Sequence, residues 1–395
     1  MISYLPRLIG SVQTAMSIQM ICGRNPRNGR PLQIILENGL IQTIREGGRD
    51  EDAWLSPGLI DLQVNGYGGF DVNIEEPDPE AIISLTKRMI ATGVTTYLPT
   101  IITASEEKIT TALRAIAKAR RRSKLVADAV PYVHIEGPSI CAADGPRGAH
   151  PPEHVRPPSL AEFYRWQRAS GGLVGMITLS PHFAGVEEYI AAVTSQGAHI
   201  ALGHTDVSPA EICRAVDAGA RLSTHLGNGI AAVIPRHQNV LWAQLAEDRL
   251  TATMIADGQH LPADTLKTML RAKGTKRSIL VSDAVAVAGM PPGTYDTPVG
   301  GRVELHQNGR LSLAGTEFLA GAVLPLKDGV ARAMSMTGIS LANSLSMATE
   351  NPGRFVGGIG VLRIGSPADL IRFTLGEEGK TLEIERVIVK GQEWQ

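Results

Sequence analysis

Two apolar segments that each end on a histidine constrain this sequence more than any other feature. Segments 198–203 and 221–224 run into His204 and His225, and the stretch between them begins like a helix with a Ser-Pro pair. Two strands joined by a helix are typical of a parallel βαβ unit, whose strands end at one edge of the sheet. Two imidazoles at that edge can share a metal ion, and neutral imidazole suits zinc. For either histidine alone, a hydrogen-bonded strand end is the alternative interpretation.

Apolar runs alternate with helical stretches through the middle of the chain. Eight runs have strand character, and amphipathic segments separate most of them: 59–64, 94–98, 132–135, 175–179, 200–203, 222–224, 251–256 and 278–282. Eight repeats of this kind favour a (β/α)8 barrel over an open doubly wound sheet. Barrels of this class build their active sites at the carboxyl ends of the strands.

Hairpin signals occur outside these repeats. Segments 32–36 and 40–44 flank an Asn-Gly pair, and segments 302–306 and 310–313 flank a second one. Asn-Gly is typical of a two-residue turn between antiparallel strands, because both of its residues tolerate positive φ angles. The sequence therefore predicts a hairpin near the start of the chain and another far downstream.

The last segment of the chain also has strand character, since residues 381–389 alternate between apolar and polar. Similar β-rich material at both ends indicates one small domain assembled from the two termini. We predict a small β-sandwich domain formed by residues 1–55 and 355–395, and a barrel formed by residues 56–354.

Composition excludes several classes of partner. The chain has 395 residues with 38 basic and 39 acidic side chains and a net charge of −1. This balance argues against nucleic acid or an anionic membrane as the main partner. Three widely spaced cysteines form neither a disulfide framework nor a zinc-thiolate site, which favours a reducing cytoplasm. Polar residues interrupt the apolar stretch 8–21, so we predict neither a signal peptide nor a membrane span.

Polar side chains at the ends of the eight runs form the candidate site: Gln63, Asn65, Thr100, Glu136, Ser180, His204, His225, Asp257, His260 and Asp283. Unpaired charged groups on buried strands would be costly. We predict a zinc ion bound by Glu136, His204 and His225, because three protein ligands and one open position are typical of catalytic zinc. Zinc lowers the pKa of bound water to about 7. Asp283 is the candidate acid/base, with helix capping or a salt bridge as the alternative.

The motifs in this order resemble a known family. Pro57–Asp61 resembles the start of the first barrel strand in the amidohydrolase superfamily. Five further motifs are together similar to the N-acetylglucosamine-6-phosphate deacetylases: HIEGP (134–138), LGHTD (202–206), STHLGNG (223–229), ADGQH (256–260) and LVSDA (280–284). The segment 350–370 is similar to that family's return into its small β domain.

The resemblance implies roles for individual residues. It makes Glu136, His204 and His225 the metal ligands and Asp283 the acid/base. It also implies that His150, in the loop after the EGP motif, polarises the acetyl carbonyl group.

Further implied roles concern substrate binding. The resemblance implies that His260 contacts the sugar and that Arg236 reaches the phosphate group across the interface of a homodimer. It implies that Asn228 and Gly229 contact the phosphate through their backbone.

Three positions bear on how far the resemblance extends. Many members of the superfamily have His-x-His at the end of the first strand and bind two metals, whereas this chain has Gln63-Val64-Asn65. Neutral amides are poor zinc ligands, so we predict a single metal ion. Gly227 and Gly229 surround Asn228 where the family has an aromatic residue and Asn-Ala, and His182 follows Pro181 where Pro-Glu is common.

These observations predict zinc-dependent hydrolysis of the acetamide of an amino sugar, with N-acetylglucosamine 6-phosphate as the expected substrate. One alternative is an amidohydrolase for a different N-acyl compound, such as an epimeric or unphosphorylated amino sugar, or for a cyclic amide. A second alternative, from another class, is an inactive paralogue that serves as a binding protein.

Overall fold

The computed structural model describes residues 18–48, 51–298 and 300–394. The strands are β1 (Gln19–Arg24), β2 (Pro31–Glu37), β3 (Leu40–Glu46), β4 (Trp54–Pro57), β5 (Leu59–Val64), β6 (Gly66–Tyr67), β7 (Phe70–Asp71), β8 (Val94–Ile102), β9 (Val133–Glu136), β10 (Val174–Leu179), β11 (His199–Leu202), β12 (Leu222–Ser223), β13 (Thr251–Ile255), β14 (Ser278–Val281), β15 (Gly293–Thr297), β16 (Gly301–Leu305), β17 (Leu311–Leu313), β18 (Leu370–Leu375), β19 (Leu382–Val389) and β20 (Gln392–Trp394). The α-helices are α1 (Pro79–Ala91), α2 (Glu106–Arg122), α3 (Lys124–Ala129), α4 (Leu160–Ser170), α5 (Val186–Ser195), α6 (Pro209–Ala218), α7 (Val240–Ala246), α8 (Ala263–Lys273), α9 (Leu326–Thr337), α10 (Leu341–Ser346) and α11 (Glu350–Gly353).

The central sheet has eight strands in the order β14-β13-β12-β11-β10-β9-β8-β5. Every neighbouring pair in this sheet is parallel. The two outer strands meet beyond their ends, where Val64 bridges Ala284 and the Asn65 N–H donates to the Ala284 carbonyl oxygen at 2.8 Å. The prediction of a (β/α)8 barrel is confirmed.

Burial on both faces explains why the barrel strands read as continuous apolar runs. All nine residues of β8 are buried, with one face toward the barrel interior and the other against helices. The following helix α2 begins where the Ser105 hydroxyl accepts a hydrogen bond from the Lys108 N–H, and it buries Ile109, Leu113 and Ile116. None of the helices in the described ranges is long and apolar enough to cross a membrane.

Strands from both ends of the chain join one seven-stranded sheet, in the order β20-β19-β18-β4-β1-β2-β3. A separate apolar cluster that includes Ile34, Leu55, Leu370 and Ile388 packs on it. The small β domain built from both termini is therefore confirmed, whereas its boundaries at residues 55 and 355 stay predictions. The prediction that the chain has no signal peptide concerns mainly residues 1–17, which lie outside the described residues.

The two predicted hairpins are both present. Asn38 and Gly39 have φ angles of +52° and +77°, as a turn with two left-handed residues requires. The downstream hairpin pairs β16 with β17, and β15 adds a third antiparallel strand. This three-stranded sheet belongs to neither large sheet, and Thr297 and Leu311 from it line the cavity at the top of the barrel.

Lys273 is a buried lysine whose lowered pKa should make the stability of the fold depend on pH. Its side chain is fully buried, and its Nζ donates to the carbonyl oxygens of Gln244 at 2.8 Å and Glu247 at 2.7 Å, at the end of α7. Burial lowers the pKa of Lys273 from 10.5 to about 8. Between these pH values the unfolded chain binds more protons than the folded one, so the free energy of unfolding rises with pH.

We expect Lys273→Met to remove this contribution to the rise. Urea unfolding of wild type and variant at about pH 8 and about pH 10 measures it, because other groups contribute equally to both proteins. If the free energy of unfolding rises equally with pH in the two proteins, the lowered pKa assigned to Lys273 is wrong.

Candidate active site

Three potential metal ligands converge at the carboxyl ends of β9, β11 and β12. Glu136 Oε1 lies 3.3 Å from His204 Nε2 and 3.1 Å from His225 Nε2, and the two Nε2 atoms are 3.1 Å apart. All three side chains are buried. Within residues 18–48, 51–298 and 300–394 this is the one group of three or more such side chains whose donor atoms lie within 4.8 Å of one another.

The chemistry of this cluster fits a divalent metal ion. His204 Nδ1 donates to the Pro146 carbonyl oxygen at 2.8 Å, which leaves the lone pair of Nε2 directed at the cluster. Burial alone would raise the pKa of Glu136, but hydrogen bonds and charge from His204 and His225 lower it well below its ordinary value. An ionised carboxylate and two imidazole nitrogens form a typical donor set for catalytic zinc.

The backbone at the strand ends is held in an uncommon conformation. His204, His225 and Asp283 have φ angles of +48°, +27° and +51°. Residues other than glycine adopt positive φ rarely, at a cost of about 1–3 kcal/mol each. Strain of this kind persists only where the surrounding structure fixes it, and here it is found at three residues of one site.

Asp283 and Glu136 each accept a hydrogen bond from an amide at the end of β5. Asn65 Nδ2 donates to Asp283 Oδ1 at 2.8 Å, and Gln63 Nε2 donates to Glu136 Oε1 at 2.8 Å. Burial, together with the negative charge of Glu136, raises the pKa of Asp283 to about 6. A carboxyl group with that pKa exchanges protons readily near neutral pH.

His150 lies beside the ligand cluster, with its Nε2 3.8 Å from Glu136 Oε2. On the other side of its ring, Nδ1 shares a 2.8 Å hydrogen bond with the hydroxyl group of Thr103. Burial lowers the pKa of His150 to about 3, so the ring is neutral at pH 7 and carries a proton on one nitrogen. Thr103 follows β8 in the chain, and the sequence analysis did not identify it.

A cavity of about 250 Å³ opens above these residues. Nine of the fourteen candidate site residues line it: Asn65, Glu136, His150, His204, His225, Asn228, Gly229, His260 and Asp283. Of the other five, Gln63 is buried behind Glu136, and Arg236 is exposed on the loop before α7 and lies outside the cavity of its own chain. Thr100, Ser180 and Asp257 are buried but do not line the cavity, and Thr100 lies within β8 rather than at its end. His260 is fixed by its Nδ1, which donates to Asp257 Oδ2 at 2.7 Å.

In the loop after His225, contact with the His204 ring leaves little room for a side chain at Gly229, where the family that the chain resembles has alanine. Gly229 has a φ of +61°, and a Cβ atom there would lie 2.9 Å from His204 Nδ1. Alanine would therefore require the loop or the His204 ring to move. The backbone N–H of Asn228 and one N–H of its Nδ2 both donate to the His225 carbonyl oxygen, at 2.9 and 3.2 Å. His182, the other departure, does not line the cavity.

Thr103→Val tests the support of His150. Valine keeps the shape of the side chain but cannot hydrogen-bond to His150 Nδ1. The Thr103 side chain then no longer determines which nitrogen of the His150 ring carries the proton. We expect kcat to fall about tenfold with metal content unchanged, which corresponds to the loss of one hydrogen bond. Steady-state kinetics and metal analysis measure both quantities, and Thr103→Ser should restore most of the activity. An unchanged kcat in Thr103→Val would contradict the role of this hydrogen bond.

A barrel whose strand ends bring together a potential carboxylate-imidazole metal site, a buried carboxyl group of raised pKa and a buried histidine is typical of metal-dependent hydrolases. The chain belongs to the amidohydrolase family, whose model matches residues 54–393. The family resemblance predicted from the motifs is confirmed. Membership favours an enzyme over the alternative of an inactive binding protein.

Within this family the chain is similar to deacetylases of amino sugar phosphates. It is 30% identical over 325 residues to N-acetylglucosamine-6-phosphate deacetylase from Bacillus subtilis, covering 81% of this chain and 80% of that protein. It is 32% identical over 302 residues to N-acetylgalactosamine-6-phosphate deacetylase from a Shewanella species, covering 76% and 74%. The solved structure of N-acetyl-D-glucosamine-6-phosphate deacetylase from Mycobacterium smegmatis superimposes with a TM-score of 0.81 at 26% identity, covering 92% of this chain and 95% of that one.

Proposed function

We propose that this protein hydrolyses the acetamide group of N-acetylglucosamine 6-phosphate to give acetate and glucosamine 6-phosphate. The observation that carries the proposal is the convergence of Glu136, His204 and His225 with Asp283 and His150 around one cavity. The names of the similar proteins support an amino sugar 6-phosphate as the substrate. One of them acts by name on the galactosamine epimer, so N-acetylgalactosamine 6-phosphate is the second candidate.

The proposed cofactor is a single Zn²⁺ ion held by Glu136, His204 and His225. When bound, zinc supplies a Lewis acid that makes water nucleophilic at neutral pH. The amide groups of Gln63 and Asn65 direct N–H donors at Glu136 and Asp283. Because an N–H group cannot coordinate a metal ion and a neutral amide oxygen is a poor zinc ligand, this arrangement supports one ion per chain rather than two.

The remaining chemistry is assigned to side chains around the ligands. Asp283 takes a proton from the attacking water and transfers it to the nitrogen of the departing amine. His150 donates an Nε2–H hydrogen bond to the carbonyl oxygen as negative charge develops there. This assignment requires the Thr103 hydroxyl group to donate to His150 Nδ1 at 2.8 Å rather than to the more distant Glu136 carbonyl oxygen at 3.4 Å. His260 binds the sugar, and Asp257 keeps its ring in place.

Phosphate binding is proposed to require a second subunit. No lysine or arginine lines the cavity among the described residues, and Arg236 of the same chain lies outside it. We propose a homodimer in which Arg236 of each subunit reaches the phosphate group in the cavity of the other. Within the chain, the backbone N–H of Gly229 has no hydrogen-bond partner among the described residues, so it is the available loop donor.

The decisive experiment compares kcat/KM for acetate release from N-acetylglucosamine 6-phosphate, N-acetylgalactosamine 6-phosphate and unphosphorylated N-acetylglucosamine. Wild type should prefer a phosphorylated sugar, and Arg236→Ala should lower its kcat/KM about 10- to 100-fold, as expected for a lost charged hydrogen bond. Arg121→Ala, at another exposed arginine near the end of α2, is the control and should retain the preference. Negligible activity on all three sugars would favour another N-acyl compound or a cyclic amide.

The proposed location is the cytoplasm. Cys22, Cys141 and Cys213 are all free thiols, and free cysteines are typical of reducing compartments. Cell fractionation followed by immunodetection tests this assignment, and recovery of the protein outside the cytoplasm would contradict it.

A further inference from the structure

Asn65 has a hydrogen-bond acceptor that the site described so far does not use. Its side chain lines the cavity next to Asp283, and its Oδ1 is buried without a hydrogen-bond partner among the described residues. The residue itself is 6% exposed. Buried polar atoms almost always have a partner, so an acceptor without one at the wall of a cavity indicates a donor on the ligand.

The position and orientation of this amide are both well defined. The backbone N–H of Asn65 donates to the Ala284 carbonyl oxygen at 2.8 Å, and its own carbonyl oxygen accepts from the Val72 N–H at 3.0 Å. In the side chain, an ionised Asp283 can only accept, so the NH₂ group of Asn65 must face it. The Oδ1 atom therefore points away from Asp283 while that carboxyl group is ionised.

We propose that Asn65 Oδ1 accepts the hydrogen of the scissile amide nitrogen and holds that nitrogen opposite Asp283 during hydrolysis. In this step a bond forms between the water oxygen and the carbonyl carbon, and the C–N bond breaks with its electron pair going to nitrogen. The proton that Asp283 removed from water is the one it delivers to that electron pair. The hydrogen already on nitrogen stays there and remains bonded to Asn65 Oδ1. This inference rests on the proposed function, because it requires an amide substrate.

One side chain thus holds both partners of the proton transfer, since its NH₂ group positions Asp283 and its oxygen positions the leaving nitrogen. Gln63 offers a matched comparison. Its amide likewise donates to a carboxylate of the site, Glu136, but Gln63 does not line the cavity and cannot contact the nitrogen. Replacing Gln63 should therefore lower kcat/KM by the same factor for every substrate. The effect of replacing Asn65 should instead depend on whether the leaving atom of the substrate carries a hydrogen.

The first test compares acetate release from N-acetylglucosamine 6-phosphate with release from its ester analogue, 2-O-acetylglucose 6-phosphate. The ester has no hydrogen on the leaving atom, whereas both substrates need Asp283. We expect Asn65→Ala to lower kcat/KM about tenfold more for the amide than for the ester, corresponding to one hydrogen bond. Gln63→Ala should lower both by the same factor. If Asn65→Ala folds poorly, Asn65→Ser, which also lacks an amide oxygen, replaces it.

A binding measurement tests the role of Asn65 Oδ1 without requiring turnover or bound metal. Calorimetric titration of the metal-free protein with glucosamine 6-phosphate and with glucose 6-phosphate compares ligands with and without nitrogen donors. Wild type should bind the amine more tightly, and Asn65→Ala should reduce this preference about tenfold while Gln63→Ala retains it.

The outcomes separate this inference from the proposed function. No turnover of any amino sugar phosphate by wild type would overturn the proposed function. Normal wild-type turnover with equal losses for amide and ester, and an unchanged binding preference in Asn65→Ala, would overturn the role of Oδ1 alone. Asn65 would then act only by positioning Asp283.

Discussion

Asp283→Asn is expected to lower kcat for acetate release by about 10²- to 10⁴-fold, the usual contribution of a general acid/base. The new side chain has nearly the same shape, and its amide oxygen can still accept the hydrogen bond from Asn65. It cannot take a proton from water or deliver one to the leaving amine. Because Glu136, His204 and His225 are unchanged, the variant should bind as much zinc as wild type. Steady-state kinetics and elemental analysis measure the two quantities.

Asp71 provides the matched control for this substitution. Its carboxyl group also lines the cavity, and burial raises its pKa to about 6, as in Asp283. Its Oδ1 accepts a hydrogen bond from the Asn73 backbone at 2.7 Å, which indicates a role in holding its own loop. Asp71→Asn should change kcat by about tenfold at most, as for one lost hydrogen bond. Equal losses at the two positions would contradict the assignment of Asp283 as acid/base.

The candidate ligands could be identified from the sequence because a parallel barrel imposes a simple rule. Its strands all end at the same face, so polar residues that follow apolar runs meet there wherever they lie in the chain. Glu136 and His225 are 89 residues apart, yet their donor atoms lie 3.1 Å from one another. Apolar periodicity located seven of the eight strand ends to within one residue, including those of β9, β11 and β12, which was sufficient to place the cluster. Strand β8 continues to Ile102, four residues beyond its predicted end.

Interactions between loops could not be predicted in this way. The hydrogen bond between Thr103 and His150 joins two loops that follow different strands, and no periodic pattern relates their positions. The downstream hairpin was recognised as a hairpin, but its packing against the cavity through Leu311 depends on tertiary contacts. Sequence likewise identified Gln63 and Asn65 as poor metal ligands without indicating that both donate to carboxylates.

Glu136→Gln is expected to remove bound metal and activity together. Glu136 contributes the carboxylate among the three candidate ligands, and its Oε1 lies within 3.3 Å of both imidazole Nε2 atoms. A neutral amide is a poor zinc ligand, and two histidines alone leave an incomplete site. Dialysis against a mild chelator followed by elemental analysis should find about one zinc ion per wild-type chain and almost none in the variant. Added zinc should raise the Tm of metal-free wild type but not that of Glu136→Gln, because only a protein that binds the ion is stabilised by it.

Glu162→Gln distinguishes loss of a ligand from loss of a buried charge. Glu162 is as buried as Glu136, but it accepts a hydrogen bond from Arg156 Nε at 3.2 Å and lies outside the cavity. Its substitution weakens a partly buried ion pair and should lower Tm, yet the variant should keep its zinc and the Tm increase on zinc addition. If Glu136→Gln instead retains a full complement of zinc, His204 and His225 must hold the ion with another group. The cluster at the ends of β9, β11 and β12 would then not be the metal site as assigned.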